Sequence, residues 1–253
     1  MKRIVVVSDI QAPLHDPKMV RGVTEFIGDY QPDMIATVGD ECDCTSIGRW
    51  VRGRAEEHTA DLQKAIDATH SIMRGFREAA PNAHMVVQRS NHTTTRLENY
   101  IGTHAPALSP IRGLDWKSLM GYGELDIELS LQPTVIAPGW LMMHGDEGRS
   151  ATYSGGTALK LANQVGESVV CGHTHKQGLL HDHDSHSGRI TKRRFGFEVG
   201  HLMDLRKASY IKAGANWQAG FGLLYVDGKH VTPTPIPIVG NRFTVEGKSY
   251  SWR

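Results

Sequence analysis

Ser168-Val169-Val170-Cys171-Gly172-His173-Thr174-His175 is the stretch on which the reading of this chain turns. Val169, Val170 and Cys171 form the apolar body of a short strand, and two imidazoles follow it. Histidines two residues apart share one side of an extended segment, and a glycine before them lets backbone and ligand approach closely. Such a pair either holds a metal or stands on a surface, and the stretch alone leaves both open. The other strand ends decide.

Outward from it, the same grammar repeats. Arg3-Ile4-Val5-Val6-Val7 is continuous and β-branched, as a strand buried on both faces should be, and it runs into Ser8-Asp9. Asp16-Pro17 has the form of a helix start, followed by Val20, Val23, Phe26 and Ile27 at helical spacing. Met34-Ile35-Ala36-Thr37-Val38 then leads into Gly39-Asp40. A second helix is expected over about residues 60–77, and a third strand at His84-Met85-Val86-Val87. This βαβαβ opening implies a largely parallel sheet. Beyond Ile127 short strands dominate (135–137, 140–143, 222–226), with one helix near 158–164. Thr232–Pro237 has prolines suited to a sheet edge.

Composition narrows the class. The 253 residues suit one domain spanning 1–253, and 28 basic against 27 acidic side chains give a net charge of +1. Nothing global advertises nucleic acid or a membrane surface, so any anion site must be local. Cys42, Cys44 and Cys171 form neither an even disulfide set nor a C-x-x-C pair, and no apolar run has membrane-spanning length, which reads as a cytoplasmic protein. Fourteen histidines make a metal site a fair question.

Each strand candidate ends in a residue able to bind metal: Asp9, Asp40, Asn91 with His92, His144, then His173 and His175. Ligands of open parallel sheets collect at such carboxyl ends. Carboxylate, amide and imidazole donors without thiolate suit Mn, Fe, Zn or Ni better than a structural cysteine-zinc site. In order, Asp9-Ile10-Gln11, Gly39-Asp40-Glu41-Cys42-Asp43, Ser90-Asn91-His92-Thr93, His144-Gly145 and Gly172-His173-Thr174-His175 resemble the motifs of the calcineurin-like metallophosphoesterases. The resemblance implies an α/β fold, a four-layer α/β/β/α sandwich of mixed sheets, with two divalent metals at the strand C-terminal edge. It makes Asp40 the bridging carboxylate, with Asp9 and His175 on the first metal and Asn91, His144 and His173 on the second; Gln11 is expected to face the first metal directly or through water, or else only to fill space. His92 becomes the acid beside the phosphate, and Asp43 a support of its loop. The chemistry is attack by a metal-bridging hydroxide on a phosphoester, with manganese the leading ion.

Two positions depart from that pattern. Gln11 stands where the family has histidine, which implies a weaker first site with a preference for an oxygen-tolerant ion. Thr93 replaces the acid that would orient His92, so slower turnover of poor leaving groups is expected unless Asp146 or Glu98 takes over. The run His181-Asp182-His183-Asp184-Ser185-His186 reads as a solvated hairpin loop, and Lys192-Arg193-Arg194 as a solvated face. Arg52 and Arg96 are the substrate-binding candidates; Arg96 could instead pair with Glu98. A phosphodiesterase acting on a nucleotide or other small diester is the leading reading. A phosphomonoesterase, including a protein phosphatase, or a nuclease would use the same metals. A catalytically weakened binding scaffold is the alternative of another class.

Overall fold

Ile4 and Val6 face one hydrophobic core and Val5 and Val7 another, the period-two signature of a strand buried on both sides. The molecule is seen in a computed structural model that describes residues 1–49, 51–208 and 214–253. The chain begins β1 (Lys2–Val7), α1 (Pro17–Tyr30), β2 (Met34–Thr37), α2 (Ala55–Thr59), α3 (Leu62–Ala79) and β3 (His84–Gln88). It continues with α4 (Thr94–His104), α5 (Trp116–Leu119), β4 (Ile127–Ser130), β5 (Thr134–Ala137) and β6 (Trp140–Met142). Then come α6 (Gly156–Val165), β7 (Ser168–Cys171), β8 (Gln177–His186), β9 (Arg189–Val199), β10 (Gly220–Asp227), β11 (His230–Pro237), β12 (Arg242–Val245) and β13 (Lys248–Ser251).

Six strands form one sheet in the order β11-β10-β1-β2-β3-β4, and five form a second in the order β5-β6-β7-β9-β8. Pairings β1-β2, β2-β3, β3-β4, β6-β7 and β7-β9 are parallel; β1-β10, β10-β11, β5-β6 and β8-β9 are antiparallel. Helices α1 and α3 bury Val23, Phe26, Ile27, Met73 and Phe76 against the Val5/Val7 face. The Ile4/Val6 face packs on Met142, Val170, Phe197 and Val199 of the second sheet, and α6 covers that sheet with Ala158, Leu161 and Ala162. The result is the expected four-layer mixed α/β sandwich. Proline-rich β11 is an outer strand of its sheet, as its sequence implied. No described helix is long and apolar enough to cross a membrane.

Asp16 caps α1, its Oδ1 accepting Lys18 N–H at 2.9 Å and Met19 N–H at 3.1 Å, with Pro17 at the first helical position. The polar run 181–186 is a correction: it is not a loop but the outer half of β8, paired with β9 around Ser187-Gly188. Both faces of that ribbon are wet, so no apolar alternation marks it. Arg194 binds Asp184 in bidentate fashion across it at 2.6 and 2.7 Å.

Candidate metal centre

Asp9 follows β1, Asp40 follows β2, Asn91 and His92 follow β3, His144 follows β6, and His173 and His175 follow β7. These are the C-terminal ends of parallel strands from both sheets, so the sandwich gathers them at one edge. Asp9, Gln11, Asp40, His173 and His175 all have positive φ (49°, 54°, 52°, 65° and 57°), an uncommon conformation for such residues that clusters at functional sites. Backbone bonds tie the first two loops together, Asp9 N–H to Gly39 O at 3.2 Å and Gln11 N–H to Asp40 O at 2.9 Å. A Cβ at Gly172 would collide with Ser8 Oγ, so that glycine serves close approach of two protein loops and not of a ligand.

The two histidines of the opening stretch do not share one side. Their left-handed backbone breaks the extended geometry, and the rings diverge: His173 lies 5.1 Å from the His144 ring, His175 lies 4.1 Å from Trp217 and 5.9 Å from His201. Metal-capable atoms accordingly form two groups, Asp40 with His144 and His173, and Asp9 with Asp40 and His175, each set of atoms within 4.8 Å. Asp40 belongs to both. Asn91 Oδ1 lies 2.7 Å from His144 Nε2 and 3.1 Å from His173 Nδ1. Gln11 Nε2 donates to Asp40 Oδ2 at 3.1 Å, which leaves its Oε1 buried without a partner among the described residues.

Burial opposes ionisation of Asp40 and Asp9, but the imidazoles around them outweigh it and hold both carboxyls below their ordinary range, Asp40 far below. Burial likewise disfavours the His144 imidazolium, yet Asp40, aided by Asp9 and Asp146, raises its pKa to about 10. Burial and the His144 charge lower that of His173. His144 Nδ1–H donates to Val38 O at 2.8 Å, which turns Nε2 toward Asn91 Oδ1 and Asp40 Oδ2. Asp9 Oδ1 sits 3.0 Å from His175 Nε2 without a hydrogen bond of good geometry. A divalent ion bound by Asp9 Oδ1 and a neutral His175 would satisfy that carboxylate oxygen. The buried carboxylate, amide and imidazole donors therefore fit divalent metals.

His92 N–H donates to Asp40 Oδ1 at 3.1 Å, and His92 Nδ1 lies 2.9 Å from Asp43 Oδ1. Arg96 Nη1 donates to the same Asp43 oxygen at 3.0 Å. Burial works against the Asp43 carboxylate, but His92, Thr45 and Arg96 prevail and lower its pKa. The expectation that His92 lacks an acidic partner, or borrows Asp146 or Glu98, is thus corrected: Asp43 fills the role, and Glu98 pairs with Arg89 at 2.8 Å. Thr93 instead meets Ser90 Oγ at 2.7 Å, and Ser90 Oγ receives Asp40 N–H at 2.9 Å. Arg52 is exposed on the turn before α2.

Two further features had no clear sequence signal. Glu41 Oε1 accepts from Trp116 Nε1 at 2.7 Å and Tyr122 OH at 2.8 Å, anchoring the α5 region to the Asp40 loop, and burial raises the Glu41 pKa. His201, whose place after Glu198-Val199-Gly200 puts it near the site but gives it no role, is buried beside His175, and burial together with the His175 charge lowers its pKa to about 4. Its position just after β9, at the C-terminal end of a strand parallel to β7, was the one available clue.

No family model matches the chain. The Gene 54 protein of Mycobacterium phage D29 is 38% identical over 250 residues, covering 97% of each chain. The Gene 54 protein of Mycobacterium phage L5 is 38% identical over 254 residues, covering 98% of each. Among solved structures, Vps29 of Chaetomium thermophilum aligns over 99% of both chains with a TM-score of 0.50 and 13% identity, a likeness of fold alone.

Proposed function

The chain belongs to the family of the mycobacteriophage Gene 54 proteins, and from that premise we propose that it is a metal-dependent phosphoesterase acting on a small phosphodiester, nucleotides foremost. The single observation that carries the reading is the pair of ligand groups joined through Asp40 at the strand ends of a metallophosphoesterase sandwich. Asp9, Gln11, Asp40 and His175 would hold one divalent ion, and Asp40, Asn91, His144 and His173 a second, with manganese first and iron, zinc or nickel as alternatives. When bound, the ions supply Lewis acidity toward phosphoryl oxygens and lower the pKa of water.

The protein's own residues do the rest. Asp40 receives the His92 amide and the Gln11 side chain, which fixes the carboxylate between the two groups. Asp43 accepts from His92 Nδ1, so the imidazolium is oriented to give the Nε2 proton to the leaving oxygen. Arg96 balances the Asp43 charge and retains further N–H donors for a phosphoryl oxygen. A net charge of +1 favours a small ester over a polymer gripped along its length.

Turnover of bis-p-nitrophenyl phosphate and of p-nitrophenyl phosphate, measured with manganese and then with iron, zinc and nickel, tests this reading. The diester should be hydrolysed faster than the monoester, and Asp40→Ala should abolish both activities. No turnover with any of the four metals would refute it; a monoester preference would move the substrate class.

A further inference from the structure

The 201–203 segment is pinned on both sides. Leu202 N–H donates to Asp9 O at 3.1 Å and Asp16 N–H to Leu202 O at 2.9 Å; His201 N–H reaches Gln218 O at 3.2 Å and Gly220 N–H reaches His201 O at 3.1 Å. The His201 ring is fixed as well. Met203 N–H donates to its Nδ1 at 3.0 Å, and the ring centroid lies 5.9 Å from His175 and 6.2 Å from Trp217. The residue is 1% exposed, and Nε2 has no hydrogen-bond partner among the described residues.

These facts settle the tautomer. The Nδ1 lone pair is taken by an amide proton, so the neutral ring carries its own proton on Nε2. Such a nitrogen is a donor; to ligate a metal it would have to surrender that proton or the Met203 bond. A buried N–H without an acceptor is costly, and this ring lies 5.9 Å from that of His175, next to the half of the centre at which an ester would bind on the phosphoesterase reading. We propose that His201 is a phosphate-contacting residue, its Nε2–H donating to a phosphoryl oxygen at the Asp9/Gln11/His175 half of the centre. This rests on the phosphoesterase reading above. It gives that half a neutral donor that cannot compete with the ligands for metal.

Calorimetry of inorganic phosphate binding to the zinc-loaded full chain tests the proposal, with zinc content measured alongside. His201→Asn can still receive Met203 N–H but is too short to reach the Nε2 position, and it should bind phosphate about tenfold more weakly. His201→Gln, which places an N–H at that reach, should stay within about threefold of the parent. Zinc content should be equal in all three proteins. Phosphate binding by His201→Asn as tight as the parent's would overturn the contact, and loss of a zinc ion from it would make His201 a ligand instead. Failure of the zinc-loaded parent to bind phosphate would instead bring down the phosphoesterase reading itself. If neither variant folds, nitrogen-15 NMR of the parent decides. An Nε2–H tautomer whose proton moves downfield on adding phosphate supports the contact; an Nδ1–H tautomer, or no response, overturns it.

Discussion

On the phosphoesterase reading Asp43 orients the acid of the centre, although nothing makes it a metal ligand. Its carboxylate lies 2.9 Å from His92 Nδ1, and that contact fixes the orientation of the ring. Asp43→Asn should therefore slow hydrolysis of an alkyl ester about 10- to 100-fold while costing a p-nitrophenyl ester less than about threefold, since only the poor leaving group needs the proton. Equal losses on both esters would assign Asp43 to loop architecture. Gln11 makes a second residue-level case, because its Nε2 holds Asp40 Oδ2 at 3.1 Å. Gln11→Ala should weaken binding of the metal that Asp9 and His175 would hold by about 10- to 100-fold, read by metal titration, as loss of an orienting partner typically does. The candidate ligands that follow apolar strands could be picked out from the sequence by that position alone. The Asp43–His92 pair could not: 49 positions separate the two, and an aspartate well into the loop after β2 carries no mark of what it will face.

At the level of elements, apolar pattern told strands and helices apart wherever one face is buried, as in β1 with its alternating cores and α1 with its aspartate cap. It failed for the outer half of β8 and β9, where exposed His, Asp, Lys and Arg alternate on two wet faces and pairing alone makes the strand. The inner end of that hairpin carries weight in the packing. A Cβ at Gly196 of β9 would strike the backbone of Leu159 in α6, which cannot rotate away. Gly196→Ala should cost about 1–3 kcal/mol of stability in urea unfolding, as overpacking does. An unchanged midpoint would mean that α6 shifts freely on its sheet. Asp16→Ala, which removes the α1 cap, should cost about 0.5–2 kcal/mol by the same measurement.

Over the whole molecule, two sheets converge on one edge so that candidate ligands from five strand ends meet around Asp40. Divalent ions would displace the imidazole protons that offset the charges of Asp9 and Asp40, and because they bind only the folded arrangement of ligands, metal should stabilise the folded chain. Ions at about 100 times their dissociation constant would contribute about 2.7 kcal/mol per site, and chelation should lower Tm in a concentration-dependent way. The measurement that bears most directly on the shared carboxylate is metal stoichiometry paired with diester turnover, for the parent chain and for Asp40→Asn, which keeps the side chain's shape. The parent should retain two ions per chain after manganese loading and hydrolyse bis-p-nitrophenyl phosphate, and Asp40→Asn should lose both the paired ions and the activity. Two ions and near-parental turnover in Asp40→Asn would contradict a centre built on Asp40.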